Sequence, residues 1–249
     1  MNNNLHMALI FSVAFLASLL SSMSGAGAAM LTTPVWLSLG FPLPVAIASN
    51  QLNGAAWTLI AARNYLRGRI LDWPLIRAMV SFGLVGAYFG TIIVRSVDGQ
   101  ILKRAIGFII ISLVAIVGLN PSLGRCESEP RLSRTMAGVL TFPLGVYESF
   151  FGSGNGLFTS LLLSKARGFP LLTSLGYYYM LAFAWNCFAV TVYLAAGLAD
   201  SRLMVPSTAG SLLGAYLGSR IGRHRGFGLV RGLFLVLGGA LGIKLALGW

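Results

Sequence analysis

Charged side chains are scarce in this sequence. The 249 residues include 18 Lys and Arg and only 6 Asp and Glu, so 10% of the chain is charged, whereas an ordinary soluble domain has about 25%. So few charges cannot cover the surface of a soluble globule of this length. The composition therefore argues against a soluble enzyme with an exposed cleft, a nucleic-acid-binding domain and a disordered tail.

Metal ligands and catalytic motifs are also missing from the sequence. The two cysteines and two histidines form no CxxC pair and no zinc-binding spacing. We find no nucleophile triad, phosphate loop or dinucleotide fingerprint. The net charge of +12 comes from basic residues in short loops between apolar runs, which mark membrane topology rather than a nucleic-acid partner. We therefore predict a protein that is not an enzyme and uses no metal or cofactor.

Long apolar runs fill the chain instead, with 56% hydrophobic residues and a mean hydropathy of +0.80. A bilayer span needs about 20 mostly apolar residues, and eight apolar segments can be recognised, at about 5–40, 46–62, 75–94, 105–119, 136–163, 173–195, 203–219 and 229–247. We predict an all-α polytopic membrane protein. A polar linker at 121–134 divides it into two four-segment halves, 1–120 and 135–249.

The two halves share an internal repeat. Residues 40–95 match residues 168–223 at a constant offset of 128, through rare residues such as Trp, Tyr, Pro and Asp. With a slip of one residue, Gly25-Ala-Gly27 matches Gly152-Ser-Gly154. Agreement of rare residue types at one fixed offset indicates duplication of a four-segment unit.

Loop charge bears on the orientation of the halves. If all eight segments simply cross the membrane, the basic residues divide equally and give no orientation. Segment 1 has 36 residues, about 54 Å as one helix, too long for a core of about 30 Å. If segments 1 and 5 each turn back at a glycine-rich break, thirteen basic residues lie on one side and five on the other. This favours inverted halves, a feature of secondary transporters, with both chain termini outside; parallel halves are the alternative.

The two glycine-rich breaks, 24–29 and 152–156, are the first candidate site. Unwound backbone at membrane depth is tolerated only inside protein or beside a wet cavity, and a half-helix N-terminus attracts anions. The alternative is close helix packing through small residues. The predicted substrate-binding residues at the breaks are Gly25, Gly27, Thr32, Thr33, Gly152, Ser153, Gly154 and Asn155.

Polar side chains in segments 2 and 6 extend this site. Asn50 and Gln51 open segment 2, and Tyr179 and Asn186 lie in segment 6. Amides and hydroxyls in hydrocarbon need partners, so we expect these four to face the bundle interior and to contact substrate. Interhelical hydrogen bonding is the alternative for each of them.

Glu148 is the one acidic residue within an apolar segment, four residues before Gly152. A carboxylate inside the membrane is by default a hypothesis for a functional site. Glu148 is our candidate for proton coupling. The alternative is a structural hydrogen-bond partner of the broken helix.

Taken together, these features resemble the sulfite exporter TauE/SafE family of membrane permeases. The resemblance covers nearly the whole chain and rests on the ordered, duplicated motifs Thr33-Pro34, Gly40-Phe-Pro-Leu-Pro44, Ala48-Ser-Asn50-Gln-Leu-Asn53-Gly54, Arg67-Gly-Arg-Ile-Leu-Asp72-Trp73 and Gly86-Ala-Tyr-Phe-Gly90. It implies ion-coupled movement, often outward, of sulfite, sulfonates or related small organic anions. Many members carry Lys at the position of Gln51, and some near that of Tyr179. Because this sequence has Gln51 and Tyr179 where those members have Lys, the identity of the substrate is left open.

The functional prediction is a secondary active transporter, a permease or exporter, of a small anion in a bacterial-type inner membrane, with multiple spans in the lipid bilayer and the transport direction left open. Its expected partners are the anion and, as coupling ion, the proton, with no nucleic acid. A channel-like protein or a non-transporting assembly partner is the alternative. The sequence leaves the oligomeric state open, a homo-oligomer included.

Overall fold

The computed structural model describes residues 3–93, 99–119, 127–150 and 153–247. It is 84% helical, with no strand in these ranges. The helices are α1 (Asn3–Ser24), α2 (Ala29–Ser38), α3 (Leu43–Leu66), α4 (Trp73–Ile93), α5 (Gly99–Leu119), α6 (Arg134–Val139), α7 (Phe142–Phe150), α8 (Asn155–Arg167), α9 (Leu171–Ala195) and α10 (Ser201–Ala246).

Within the described ranges, four helices are long and apolar enough to cross a membrane: Leu5–Ser24, Trp73–Ile92, Leu171–Ala195 and Ser201–Lys244. The 46 residues of α10 would extend about 69 Å as a straight helix, about twice a bilayer core. Gly226, at φ 76° and ψ −160°, interrupts its helical backbone and divides it into two spans. The predicted all-α polytopic fold is confirmed.

Both predicted broken helices turn back on themselves. After the break that follows α1, helix α2 runs back toward the start of α1, and the ring of Phe41 stacks 6.1 Å from that of His6. In the second half, α8 runs back toward the start of α6, where the Arg167 guanidinium donates to the Leu132 carbonyl oxygen at 2.7 Å. Each half therefore begins with a segment that enters and leaves on one side.

The repeated halves are inverted, because the equivalent helices α3 and α9 pack antiparallel. Ala48, near the start of α3, lies in one apolar cluster with Tyr193, near the end of α9. At the other end, the side chain of Leu66 lies against Gly176. The boundaries of the halves stay a prediction, since residues 121–126 of the linker lie outside the described ranges.

Glycines repeated at the 128-residue offset bring α1 close to α10, and α7 close to α4. A Cβ atom at any of the four would overlap a backbone carbonyl oxygen of the neighbouring helix. Gly86 and Gly90 face the carbonyls of Phe142 and Val146, and Gly214 and Gly218 face those of Phe15 and Leu19. The same contact thus forms twice, once in each half of the bundle.

The longest basic loops meet on one face of the bundle. There Arg223 of α10 donates to the carbonyl oxygens of Asn64 at 2.9 Å and Arg67 at 3.2 Å. Asp72, which caps α4, accepts from Arg134 at 2.9 Å and lies 3.5 Å from the Arg167 guanidinium. This clustering agrees with the thirteen-to-five division of basic residues predicted from inverted halves.

The glycine contacts yield a stability prediction. We expect Gly86→Ala and Gly214→Ala each to cost about 1–3 kcal/mol, because the added methyl overlaps a carbonyl of a packed neighbour. Thermal unfolding of the purified protein measures this as a fall in Tm. Gly232→Ala is the matched control, since Gly232 lies on α10 and no atom lies within 4 Å of the position that its added methyl group would take. An unchanged Tm for all three variants would contradict the packing argument.

Candidate functional site

A small cavity lies beside the place where the two breaks meet. Its volume is about 40 Å³. Both halves of the chain supply its walls. The lining residues are Gly27, Ala28, Ala29, Thr32, Asn50, Gln51, Asn53, Gly54, Trp57, Glu148, Tyr178, Asn186 and Ser211.

The backbones of the two breaks touch directly. The amide of Gly154 donates to the Ala26 carbonyl oxygen at 2.8 Å. Gly25, Gly27 and Gly154 have φ of 76°, 85° and 85°, a left-handed conformation that favours glycine. A side chain at Gly27 would also overlap the backbone of Ser153. The structure thus joins the two predicted breaks, although Gly152 falls outside the described residues.

The N-terminus of α2 opens on the cavity through Gly27, Ala28 and Ala29. The first amides of a helix lack intrahelical partners, and no side chain caps this end of α2. Its unpaired N–H groups and the positive end of its dipole favour an anion there. The N-terminus of α8 is turned instead toward Glu148, through Asn155.

Glu148 forms one wall of the cavity and is 4% exposed. The side-chain amide of Asn155 donates to Oε2 at 2.5 Å, and that of Asn186 donates to Oε1 at 3.1 Å. The Tyr178 hydroxyl lies 3.5 Å from Oε2. Hydrogen bonds to both oxygens fix the orientation of the carboxyl group at the cavity surface.

Asn50 lines the cavity and also ties α2 to α3. Its Oδ1 accepts from the Thr32 hydroxyl at 2.9 Å and from the Trp36 indole at 3.0 Å. Its Nδ2 donates to the Thr33 hydroxyl oxygen at 2.9 Å. These three bonds hold the N-terminus of α2 in place against α3.

Gln51 and Tyr179 occupy equivalent repeat positions and make equivalent contacts. The Gln51 amide donates to the carbonyl oxygens of Glu148 and Ser149, at 2.9 and 3.2 Å, at the end of α7. The Tyr179 hydroxyl lies 2.9 and 3.0 Å from those of Ser21 and Ser22, at the end of α1. Each side chain thus caps the broken helix of the other half. Only Gln51 lines the cavity.

The sequence matches one family model, described as sulfite exporter TauE/SafE, over residues 10–245. The chain belongs to the TauE/SafE family. The predicted family resemblance is therefore confirmed.

Three relatives in this family share its length. A probable membrane transporter protein of Haemophilus influenzae is 29% identical over 93% of this chain and 91% of its own. The probable membrane transporter protein ORF9 of Sinorhizobium sp. is 28% identical over 96% of this chain and 92% of its own. The probable membrane transporter protein YfcA of Escherichia coli K12 is 24% identical over 95% of this chain and 88% of its own. No solved structure matches this chain.

Membership of the TauE/SafE family and the apolar helices establish a multi-pass membrane transporter. Of the residues that we predicted to bind substrate, Gly27, Thr32, Asn50, Gln51 and Asn186 line the cavity, together with the proton-coupling candidate Glu148. The others lie behind the wall among the described residues: Gly25, Thr33, Ser153, Gly154, Asn155 and Tyr179.

Sequence reasoning did not select Asn53, Trp57, Tyr178 or Ser211 of this TauE/SafE protein, yet all four line the cavity. One signal could have found Tyr178, because the offset of 128 places it at the position of Asn50. Nothing in the sequence pattern distinguishes Ser211 from the other serines of α10.

Adjacent tyrosines provide a test of this geometry. We expect Tyr179→Phe to lower Tm, since it removes the hydroxyl donor of a buried hydrogen bond to the carbonyl oxygens at the end of α1, a loss of about 1–3 kcal/mol, and to leave anion affinity within about twofold. Tyr178→Phe should instead change anion affinity, because it alters the cavity wall. Ligand-dependent thermal shifts measure both quantities. A loss of affinity confined to Tyr179→Phe would show that the assignment of the two rings is wrong.

Proposed function

We propose that this protein is a secondary active transporter of a small anion, such as sulfite or a sulfonate, and that Glu148 couples the transport to protons. The observation that carries the proposal is the cavity between two broken helices of inverted halves. Secondary transporters bind substrate at such repeat interfaces.

The cavity favours an anion through backbone rather than side-chain charge. The uncapped N-terminus of α2 supplies unpaired amides and a positive dipole end. In a site removed from bulk water this interaction is stronger than at a surface. Of the predicted substrate-binding residues, we assign direct contact to Gly27, Thr32 and Gln51, and a positioning role to Gly25, Thr33, Asn50, Ser153, Gly154, Asn155, Tyr179 and Asn186.

Proton coupling follows because the anion and the carboxyl group of Glu148 share one small cavity. An anion beside ionised Glu148 would meet a like charge, and two unit charges about 5 Å apart repel by about 3 kcal/mol at an effective dielectric of about 20. The anion therefore binds with the neutral carboxyl group, so one proton accompanies each anion into the site. Linkage makes the effect reciprocal, and bound anion favours protonation of Glu148.

The inverted repeat supplies a route to alternating access. Since each half makes the same glycine-mediated contacts, the two can exchange conformations without a new type of interface. The two faces of the bundle differ in their charged residues, however. Asp72 forms ion pairs with Arg134 of α6 and Arg167 of α8. Its repeat equivalent Asp200 forms an ion pair only with Arg202, two residues further on, among the described residues. We assign the Asp72 face, with its basic loops, to the cytoplasmic side of a bacterial inner membrane.

Glu148→Gln tests the coupling. For the wild type we expect anion affinity to fall as pH rises, because binding requires the protonated carboxyl group. The Gln variant is permanently neutral, so its affinity for a sulfonate, whose own charge does not change near neutral pH, should not vary with pH, and a proton gradient should not drive sulfonate uptake into proteoliposomes. Glu129→Gln, an exposed position on the linker, is the control and should behave like the wild type.

Two results would contradict these proposals separately. Unchanged pH dependence and unchanged gradient-driven uptake in Glu148→Gln would remove Glu148 from the coupling while leaving an anion transporter. Absence of saturable flux for sulfite, thiosulfate, sulfonates and small carboxylates in wild-type proteoliposomes would overturn the transporter assignment of this cavity.

A further inference from the structure

We infer that the substrate is a singly charged anion that carries a hydrogen-bond donor, such as hydrogen sulfite or a hydroxysulfonate, rather than a dianion or an alkylsulfonate. This inference rests on the proposed transport of a small anion through the cavity. It follows from the polar groups that the cavity wall leaves without partners.

The cavity wall can compensate only one negative charge. Among the described residues that line it, none is Lys, Arg or His, and Glu148 is acidic. The positive end of a helix dipole amounts to about half an elementary charge. A second negative charge would be buried without a counterion, which is costly in a low-dielectric site. The wall therefore suits a monoanion and disfavours a dianion.

Gln51, which lines the cavity, carries an unpaired acceptor. Both N–H contacts of its amide are directed at the carbonyl oxygens of Glu148 and Ser149, so the amide cannot turn over without setting oxygen against oxygen. Oε1 is buried and has no partner among the described residues. The residue is 4% exposed and lines the cavity. An occupant with an O–H or N–H group would satisfy this oxygen.

Asn53, also a lining residue, carries an unpaired donor that complements it. Its Oδ1 accepts from the hydroxyls of Ser207 at 3.2 Å and Thr208 at 2.8 Å, which directs Nδ2 away from α10. Nδ2 is buried without a partner in the described structure, on a residue that is 3% exposed and lines the cavity. An anionic oxygen of the substrate would accept from it.

The other amides of the wall are already engaged. Asn50 is held by Thr32, Thr33 and Trp36, and the Asn186 amide nitrogen donates to Glu148 and to the Ala182 carbonyl oxygen at 2.7 Å. The unpaired acceptor of Gln51 and donor of Asn53 therefore set the hydrogen-bonding pattern that a substrate must match. A buried polar group left unmatched costs about 1–3 kcal/mol.

A matched pair of sulfonates tests the inference. 2-Hydroxyethanesulfonate and 1-propanesulfonate have equal charge and similar size, and differ by a hydroxyl in place of a methyl. We expect the hydroxysulfonate to bind the wild-type protein at least about tenfold more tightly. Thermal stabilisation as a function of ligand concentration gives both dissociation constants for the purified full-length protein.

Variants at two positions of α3 separate the contribution of the Gln51 acceptor from that of the Asn53 donor. Gln51→Met should remove the preference by weakening the hydroxysulfonate alone, whereas Asn53→Ala should weaken both sulfonates by a similar factor. Asn64→Ala is the matched control, since its amide donates to Ser219 at 2.8 Å outside the cavity and neither affinity should change. A loosened fold would weaken both ligands alike, so the ratio of the two constants isolates the contact of Gln51.

Each outcome decides a different proposal. Equal affinities of the two sulfonates for the wild type, or a preference that survives Gln51→Met, would overturn the inference and leave the transporter proposal intact. Failure of both sulfonates to bind, together with absence of flux for any anion tested, would overturn the transporter proposal as well.

Discussion

The contact between the two glycine-rich breaks determines the rest of the arrangement. Unwound backbone away from water must find partners within the protein, and here the Gly154 amide donates to the Ala26 carbonyl oxygen across the repeat interface. Glycine is required because a side chain at Gly27 would overlap Ser153. With the breaks joined in this way, the N-terminus of α2 and the carboxyl group of Glu148 come to line one cavity.

Duplication with inversion accounts for the scaffold around that contact. The two halves present the same glycines to the same carbonyls, and their second segments, α3 and α9, cross antiparallel at the centre. Gln51 and Tyr179 cap the broken helix of the opposite half at matching positions. Each half therefore completes the polar backbone of the other, which explains why neither could bury its break alone.

The sequence predicted the helical segments, the breaks and their reversal, because glycine conformation, apolar length and loop charge are local properties. It did not predict the partners of polar side chains. Tyr178 and Tyr179 are adjacent on a helix that is apolar around its circumference, so no periodicity shows which ring faces the cavity. Asn50 lines the cavity, yet whether its amide meets α2 or a substrate depends on the path of α2 after the break.

The chemistry of the site is less symmetric than its scaffold. At the 127-residue offset of the two breaks, Glu148 corresponds to Ser21 and Asn155 to Ala28, and at the 128-residue offset Tyr178 corresponds to Asn50. The first half therefore has no equivalent of the carboxyl group or of two of the three residues that hydrogen-bond to it. If the halves exchange conformations during transport, the helices that move change roles, but the titratable group stays on α7. A single carboxyl group limits the proposed coupling to one proton for each anion, and for a monoanion that stoichiometry makes the transported complex neutral.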